Sequence, residues 1–465
     1  MKVVFTTCFR ESYGGGMGFV AFEIAKAFAK QGHETVLICP GTKTQLIKVS
    51  PHLSYYQVRS MGEGNLAIPY LTVKNLQVLF DFFAKFKPQI IHAHDFGPIT
   101  LTCQFWALNN KTPFFYTAHV LPTKALDFAI NEFSKGFGRL LDTTILKKYF
   151  TNFFKNCDAM IALNKDVEKD IRAYGYKNKI FAIPNGRDLQ LYYRCHPARV
   201  NAETIQLTFT GYLTVRKNQK YLLQVMEYLP KNYLLNLVGV PLNPNYLTML
   251  KKYVQRKKLT NVNFMGQIPY GEIAKLLEKT HVFVSASKME VQSLSVIEAL
   301  AAGRPVVGLA NETISELVDE KNGYCLSKKT SAKFFAQKVS QICSLDQKKY
   351  EALGIEGRKR ISHLDWPLIV KRTEKVYWEM IKEKVAVAEV KQVKRFRMAK
   401  ELIALLPPSK IKKFLKKQIK NPKLEKITRK KNLFFLVFTV VGTVSVGSVF
   451  WLFRQSKRIL LLKRQ

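Results

Sequence analysis

Short apolar runs rich in β-branched residues recur from residue 3 to residue 309, separated by longer stretches whose apolar positions fall three and four apart. The runs predict buried parallel strands and the wider spacing predicts amphipathic helices. In a first block the strands fall at residues 3–6, 35–39, 89–93, 114–117 and 159–163. A helix at 19–31 carries Phe19, Phe22, Ala25 and Phe28 on one face and stops at Gly32. In a second block the strands fall at 206–210, 234–238, 261–265, 281–285 and 305–309. Such alternation predicts an α/β protein of two doubly wound, Rossmann-like domains, residues 1–197 and 198–385, facing one another across a cleft.

Beyond residue 385 the pattern changes. Residues 433–453 are uncharged and mostly apolar, and as a helix they would span about 31 Å, close to the thickness of a bilayer's hydrocarbon core. A basic segment, 386–432, precedes this stretch and a basic tail, 454–465, follows it. Eleven Lys and Arg lie between Lys410 and Lys431, against five after the stretch. That asymmetry predicts a single-pass, C-terminal transmembrane helix with the domains on the cytoplasmic side and the basic approach lying on an anionic membrane surface.

The whole chain carries 74 Lys and Arg against 34 Asp and Glu, a net charge of +40. No zinc-finger spacing or RNP-type aromatic motif accompanies the charge, so lipid is the expected anion and nucleic acid is not an expected partner. The seven cysteines are scattered, without a CxxC pair, and read as reduced thiols. An apolar fraction of 47% excludes a disordered chain.

Candidate chemistry gathers at strand ends. Gly14, Gly15, Gly16 and Gly18 follow the first strand and open a helix, a setting in which backbone amides receive phosphate. The spacing matches neither a dinucleotide fingerprint nor a P-loop. Arg216 and Lys217 follow the strand at 206–210. Glu290 and Glu298 follow the strand at 281–285, Glu290 in the loop and Glu298 in the first turns of a helix from about Leu294. Carboxylates for hydroxyls, with cations and free amides for a diphosphate, suit a sugar nucleotide. His119 ends the strand at 114–117. His92 and His94 end another; without a third ligand nearby they read as cleft-lining residues, and no divalent metal is expected.

The glycine loop, Ile-Pro-Asn-Gly at 183–186, Arg216-Lys217-Asn218, the Glu290/Glu298 pair and Ala-Ala-Gly-Arg-Pro-Val-Val at 301–307 together resemble glycosyltransferase family 4, over roughly residues 1–385. The resemblance implies a GT-B fold, a hexosyltransferase activity that retains anomeric configuration, and a UDP- or GDP-hexose as co-substrate with no further cofactor. It implies that Arg216 and Lys217 hold the donor diphosphate, that Glu298 holds the nucleotide ribose, and that Glu290 binds sugar hydroxyls near the amides of Ser293 and Leu294. Gly15 and Gly16 would approach the donor phosphate, and His119 would position the sugar at the reaction centre. A helix from Trp366 would cross back to the first domain. The chain departs from the family pattern at Tyr212, where Arg is usual, and at Val291, Gln292 and Ser293, where glycines are usual.

Glu-Val-Gln-Ser-Leu-Ser at 290–295 is similar to the corresponding stretch of diacylglycerol glucosyltransferases, which with the apolar tail points to a membrane lipid acceptor. Aromatic and basic residues interleaved over 128–155 suit either a helix seated on lipid or one packed on its own domain. Two other readings remain: a membrane-tethered transferase acting on a soluble glycan, and a non-catalytic membrane-bound scaffold.

Overall fold

The computed structural model describes residues 1–11, 15–62, 67–119, 143–200 and 202–387. Gly14, residues 128–142 of the aromatic and basic stretch, and the basic segment, apolar span and tail from 388 onward lie outside the described residues. Among the described residues, no helix is long and apolar enough to cross a membrane.

Among the described residues, nine strands make the first sheet: β1 (Lys2–Thr6), β2 (Glu34–Gly41), β3 (Gln45–Ser50), β4 (Leu53–Met61), β5 (Ile68–Pro69), β6 (Ile90–Ala93), β7 (Phe114–Ala118), β8 (Ala159–Ala162) and β9 (Lys179–Ala182). They run in the order β3-β4-β2-β1-β6-β7-β8-β9, with β5 paired to β4. Only β3 and β5 are antiparallel to their neighbour. The second sheet is parallel throughout and runs β12 (Val262–Gly266), β11 (Tyr233–Val238), β10 (Ile205–Thr210), β13 (Val282–Ser285), β14 (Val306–Leu309), β15 (Gly323–Leu326). Strand order reverses beside β1 in the first sheet and beside β10 in the second. A crevice opens at the carboxyl ends of the strands at such a point.

Burial on both sheet faces explains why the strands read as continuous apolar runs. Val3, Val4 and Phe5 of β1 are all fully buried. Helix Gly15–Lys30 covers one face through Val20, Phe28 and their neighbours. It ends where Gly32, at φ +83°, turns the chain back and the amide of His33 bonds the Phe28 carbonyl at 3.2 Å. Helix Thr143–Lys155 packs Phe150, Phe153 and Phe154 into the first domain's own core, so its aromatic face is not available to lipid.

The last described helix, Trp366–Val387, returns to the first domain. Ile369, Val370, Tyr377 and Met380 pack with Phe5, Phe28 and Phe115. Arg372 donates to the Ala182 carbonyl at 3.1 Å and Lys384 pairs with Asp158 at 2.6 Å. At the crossing, a Cβ on Gly186 would lie 2.2 Å from the Trp366 ring, so only glycine fits the Ile-Pro-Asn-Gly turn there.

Candidate active site between two facing domains

After β10 the chain turns at Gly211, φ +139°, and Asn218, φ +58°, opens the next helix. Buried Gln219 clamps the intervening loop, accepting from the Thr214 amide at 3.2 Å and donating to the Tyr212 carbonyl at 3.0 Å. The loop after β13 lies alongside, with the Lys288 amide on the Arg216 carbonyl at 2.9 Å and the Arg216 guanidinium on the Met289 carbonyl at 2.7 Å. These ties bring the predicted residues together. Glu290, 7% exposed, is ion-paired through Oε1 with Lys217 Nζ at 2.5 Å and through Oε2 with Arg216 Nη1 at 3.3 Å.

Burial disfavours the Glu290 carboxylate, but the charges of Lys217 and Arg216 outweigh it and hold the group below its usual value. Burial also lowers the Lys217 ammonium, with Arg216 acting in the same sense and Glu290 opposing. One carboxylate thus faces two cations at the carboxyl end of β10. The Glu290 amide donates to Glu312 at 2.9 Å.

Ser293 caps helix Leu294–Ala301 in extended conformation, its amide on Thr313 Oγ1 at 2.8 Å and its hydroxyl on Ser295 at 3.0 Å. The first domain meets this helix closely: a Cβ on Gly16 would lie 3.7 Å from the Leu294 side chain. Gly15, at φ +59°, sits against the Tyr212 ring, where a Cβ would come within 2.9 Å. The departures from the family pattern have structural work here. Tyr212 packs on the glycine loop, Gln292 accepts the Asn185 amide at 2.7 Å, and the Val291 carbonyl accepts Asn164 at 2.6 Å. All three tie the site loops to the first domain.

His119 stands just past β7 with its Nε2 bonded to His94 Nδ1 at 2.9 Å. His92, expected to line the cleft with His94, is instead fully buried: it bonds Thr117 at 2.7 Å and Tyr377 of the crossing helix at 2.5 Å. His94 is buried too, 1% exposed. Both occupy the packed layer behind His119, because β6 is a central strand covered on both faces. Burial lowers all three imidazoles, with His92 pushed down to about 3 by burial and then by His119's charge. Among the described residues, no three of His, Cys, Asp and Glu converge to hold a metal ion.

Glu298 takes a place apart from Glu290. It is buried and ion-paired with Arg187, which sequence reasoning missed. The available signal was position: Arg187 directly follows the Ile-Pro-Asn-Gly turn.

Two facing doubly wound domains, with a carboxylate between two cations on one side and glycines and a histidine on the other, define the GT-B class of α/β glycosyltransferase folds. Residues 14–191 match the sequence family described as Glycosyltransferase Family 4 and residues 197–360 match Glycosyl transferases group 1. The chain belongs to glycosyltransferase family 4.

The alpha-monoglucosyldiacylglycerol synthase of Streptococcus pneumoniae is 24% identical over 275 residues, which cover 55% of this chain and 61% of the synthase. The chain thus matches less than two thirds of that relative's length. Among solved structures, sucrose-phosphate synthase from Thermosynechococcus elongatus superposes with TM-score 0.66 at 20% identity, covering 82% of this chain and 99% of that one. Anabaena Alr3699/HepE in complex with UDP-glucose superposes with TM-score 0.63 at 17% identity, covering 82% and 100%. At these identities the superpositions establish the shared fold.

Proposed function

We propose that this chain moves a hexose from a nucleoside-diphosphate sugar to a hydroxyl of a membrane lipid, with retention of configuration. The observation that carries the reading is the Lys217–Glu290–Arg216 constellation at the reversal point of the second sheet, opposite the glycine loop of the first. In the reaction the bond from the sugar C1 to the β-phosphate oxygen breaks and a bond from C1 to the acceptor oxygen forms. The acceptor hydroxyl gives up its proton and the nucleoside diphosphate leaves with the bonding pair. Arg216 and Lys217 meet the charge that develops on that diphosphate, the electrostatic assistance that contributes most in a desolvated site. Glu290 turns from the cations to the sugar hydroxyls, Glu298 holds the ribose, and the amides near Gly15, Gly16 and Leu294 approach the phosphates, the Ser293 amide being taken by Thr313 Oγ1. His119, kept neutral by burial, hydrogen-bonds the sugar and fixes its orientation.

UDP-glucose in the Anabaena structure supports the donor class. The name of the pneumococcal relative supports a diacylglycerol-type acceptor. Residues 433–453 supply the membrane anchor in this reading, with the basic segment on anionic lipid.

The test is transfer of radiolabelled sugar from a panel of UDP- and GDP-hexoses into the organic-solvent phase of membrane lipids. Label in that phase, absent with Glu290→Ala, is the expected result. Label confined to the aqueous phase would replace the lipid with a soluble glycan. No label, with no nucleotide binding, would leave a non-catalytic scaffold.

A further inference from the structure

Arg187 is a charged side chain, 3% exposed, set where four parts of the molecule meet. Its backbone belongs to the hinge between the domains: its amide donates to the Leu364 carbonyl at 2.8 Å and its carbonyl accepts the Trp366 amide at 3.2 Å, at the start of the crossing helix. Its guanidinium lies 4.3 Å from the ring centre of Phe19, on the first domain's helix Gly15–Lys30. It lies 4.6 Å from the ring centre of Tyr270, which opens helix Tyr270–Glu278 of the second domain. The two rings are themselves 4.8 Å apart, and Tyr270 Oη accepts from Tyr192 at 3.0 Å. The guanidinium's ion pair is with Oε1 of Glu298, 5% exposed, on helix Leu294–Ala301.

Each neighbour has a distinct effect. A buried carboxylate with one oxygen on a guanidinium that is itself held in place is drawn toward one rotamer. The aromatic faces hold the guanidinium by cation–π attraction, which is stronger where water is excluded. One face comes from each domain, so separating the domains removes one wall of the slot. Glu298 is thus oriented by a residue whose own placement depends on the two domains being together.

We propose that Arg187 is a positioning residue for Glu298, and that it couples the orientation of this carboxylate toward the donor ribose to closure of the cleft. The inference rests on the proposed function, since it takes a nucleotide sugar as the ligand of Glu298. It implies that affinity for the donor depends on Phe19, a residue of the opposite domain, and that a lysine is a poor substitute for Arg187 because an ammonium lacks the planar face that lies against Phe19 and Tyr270.

The test is calorimetric binding of UDP-glucose, together with a panel of UDP- and GDP-hexoses, to the full chain and to Arg187→Lys, Arg187→Met and Phe19→Leu. Circular dichroism confirms that each variant is folded at the assay temperature. The expected result is donor affinity weakened tenfold or more in Arg187→Met. Arg187→Lys should recover only part of that loss, and Phe19→Leu should weaken binding about threefold. In turnover the loss should fall on KM for the donor more than on kcat. Unchanged affinity in folded Arg187→Met, with wild type binding normally, would overturn the inference alone and leave the pair as a structural tie. Unchanged affinity in Phe19→Leu would overturn the coupling to closure. Failure of wild type to bind any nucleotide sugar would overturn the proposed function and the inference with it.

Discussion

Lys217→Met isolates what holds Glu290 in place. The variant keeps the length of the side chain and removes one charge from a carboxylate that is 7% exposed. With an effective dielectric of about 20, a cation 2.5 Å away contributes roughly 7 kcal/mol, and Arg216 at 3.3 Å roughly 5, before either desolvation is subtracted. Stripping one partner from a buried pair costs about 3–5 kcal/mol; because Arg216 stays, the lower end applies, about 3 kcal/mol. For a domain of this size that lowers the thermal midpoint by about 6–12 °C.

The pH dependence has a definite sign. Burial raises Glu290's carboxyl, but Lys217 and Arg216 more than reverse this and bring its folded value below the ordinary one. The pair's contribution is therefore complete above the unfolded value of about 4.3 and is lost as pH falls through the lowered folded value. Wild type and variant should differ by a constant amount from pH 8 to 5 and converge only in stronger acid. Scanning calorimetry on Lys217→Met, Glu290→Gln and the double variant measures this, since the double variant removes the buried carboxylate that Lys217→Met strips of its nearer cation, while Arg216 keeps the Met289 carbonyl, and it should recover part of the loss. A midpoint within a degree of wild type in Lys217→Met, or a double variant no better than the single one, would refute the electrostatic argument.

His94→Phe keeps a ring in the buried layer but removes the 2.9 Å bond to His119; turnover should fall about tenfold or more with donor KM little changed, as expected for a misoriented group. The same three histidines are neutral when folded and protonate when unfolded, so stability should decline as pH drops below about 6.5, and a denaturation series from pH 7 to 5 should show a shallower decline in His94→Phe. Deleting residues 433–465 should release most protein from vesicles containing anionic lipid and leave a remainder that dissociates in high salt; complete retention in high salt would assign the anchoring elsewhere.

Nine of the ten predicted strands were legible as apolar runs because parallel strands covered on both faces need no polar alternation, and β12, an edge strand exposed at every second residue, was legible without that burial. The strands that were not legible lack that burial. Strand β3 is exposed for most of its length, β4 mixes Ser54, Gln57 and Arg59 among its apolar residues, and β9 is an edge strand. The helix predicted from Phe19 begins at Gly15, because glycines, poor helix formers locally, are carried into the first turn by packing against Tyr212 and Leu294.

Arg216, Lys217 and Glu290 were readable because they sit on loops at strand ends, close in sequence to recognisable turns. Arg187 was not readable as Glu298's partner: the two are 111 residues apart, and only the fold of two domains on one another brings them together. The burial of His92 was hidden for a related reason. Its cover is the crossing helix, whose Tyr377 lies far along the chain.

That helix also dictates an order of events during synthesis. The first domain's last strand ends at Ala182, yet its final covering element begins at Trp366. At about 5–20 residues per second, a ribosome takes roughly 10–40 s to make the intervening stretch. Throughout that interval the surface later occupied by Ile369, Val370, Tyr377 and Met380 stands bare beside Phe28 and Phe115 on the nascent chain. The newborn first domain is a natural client for a chaperone until the second has been made.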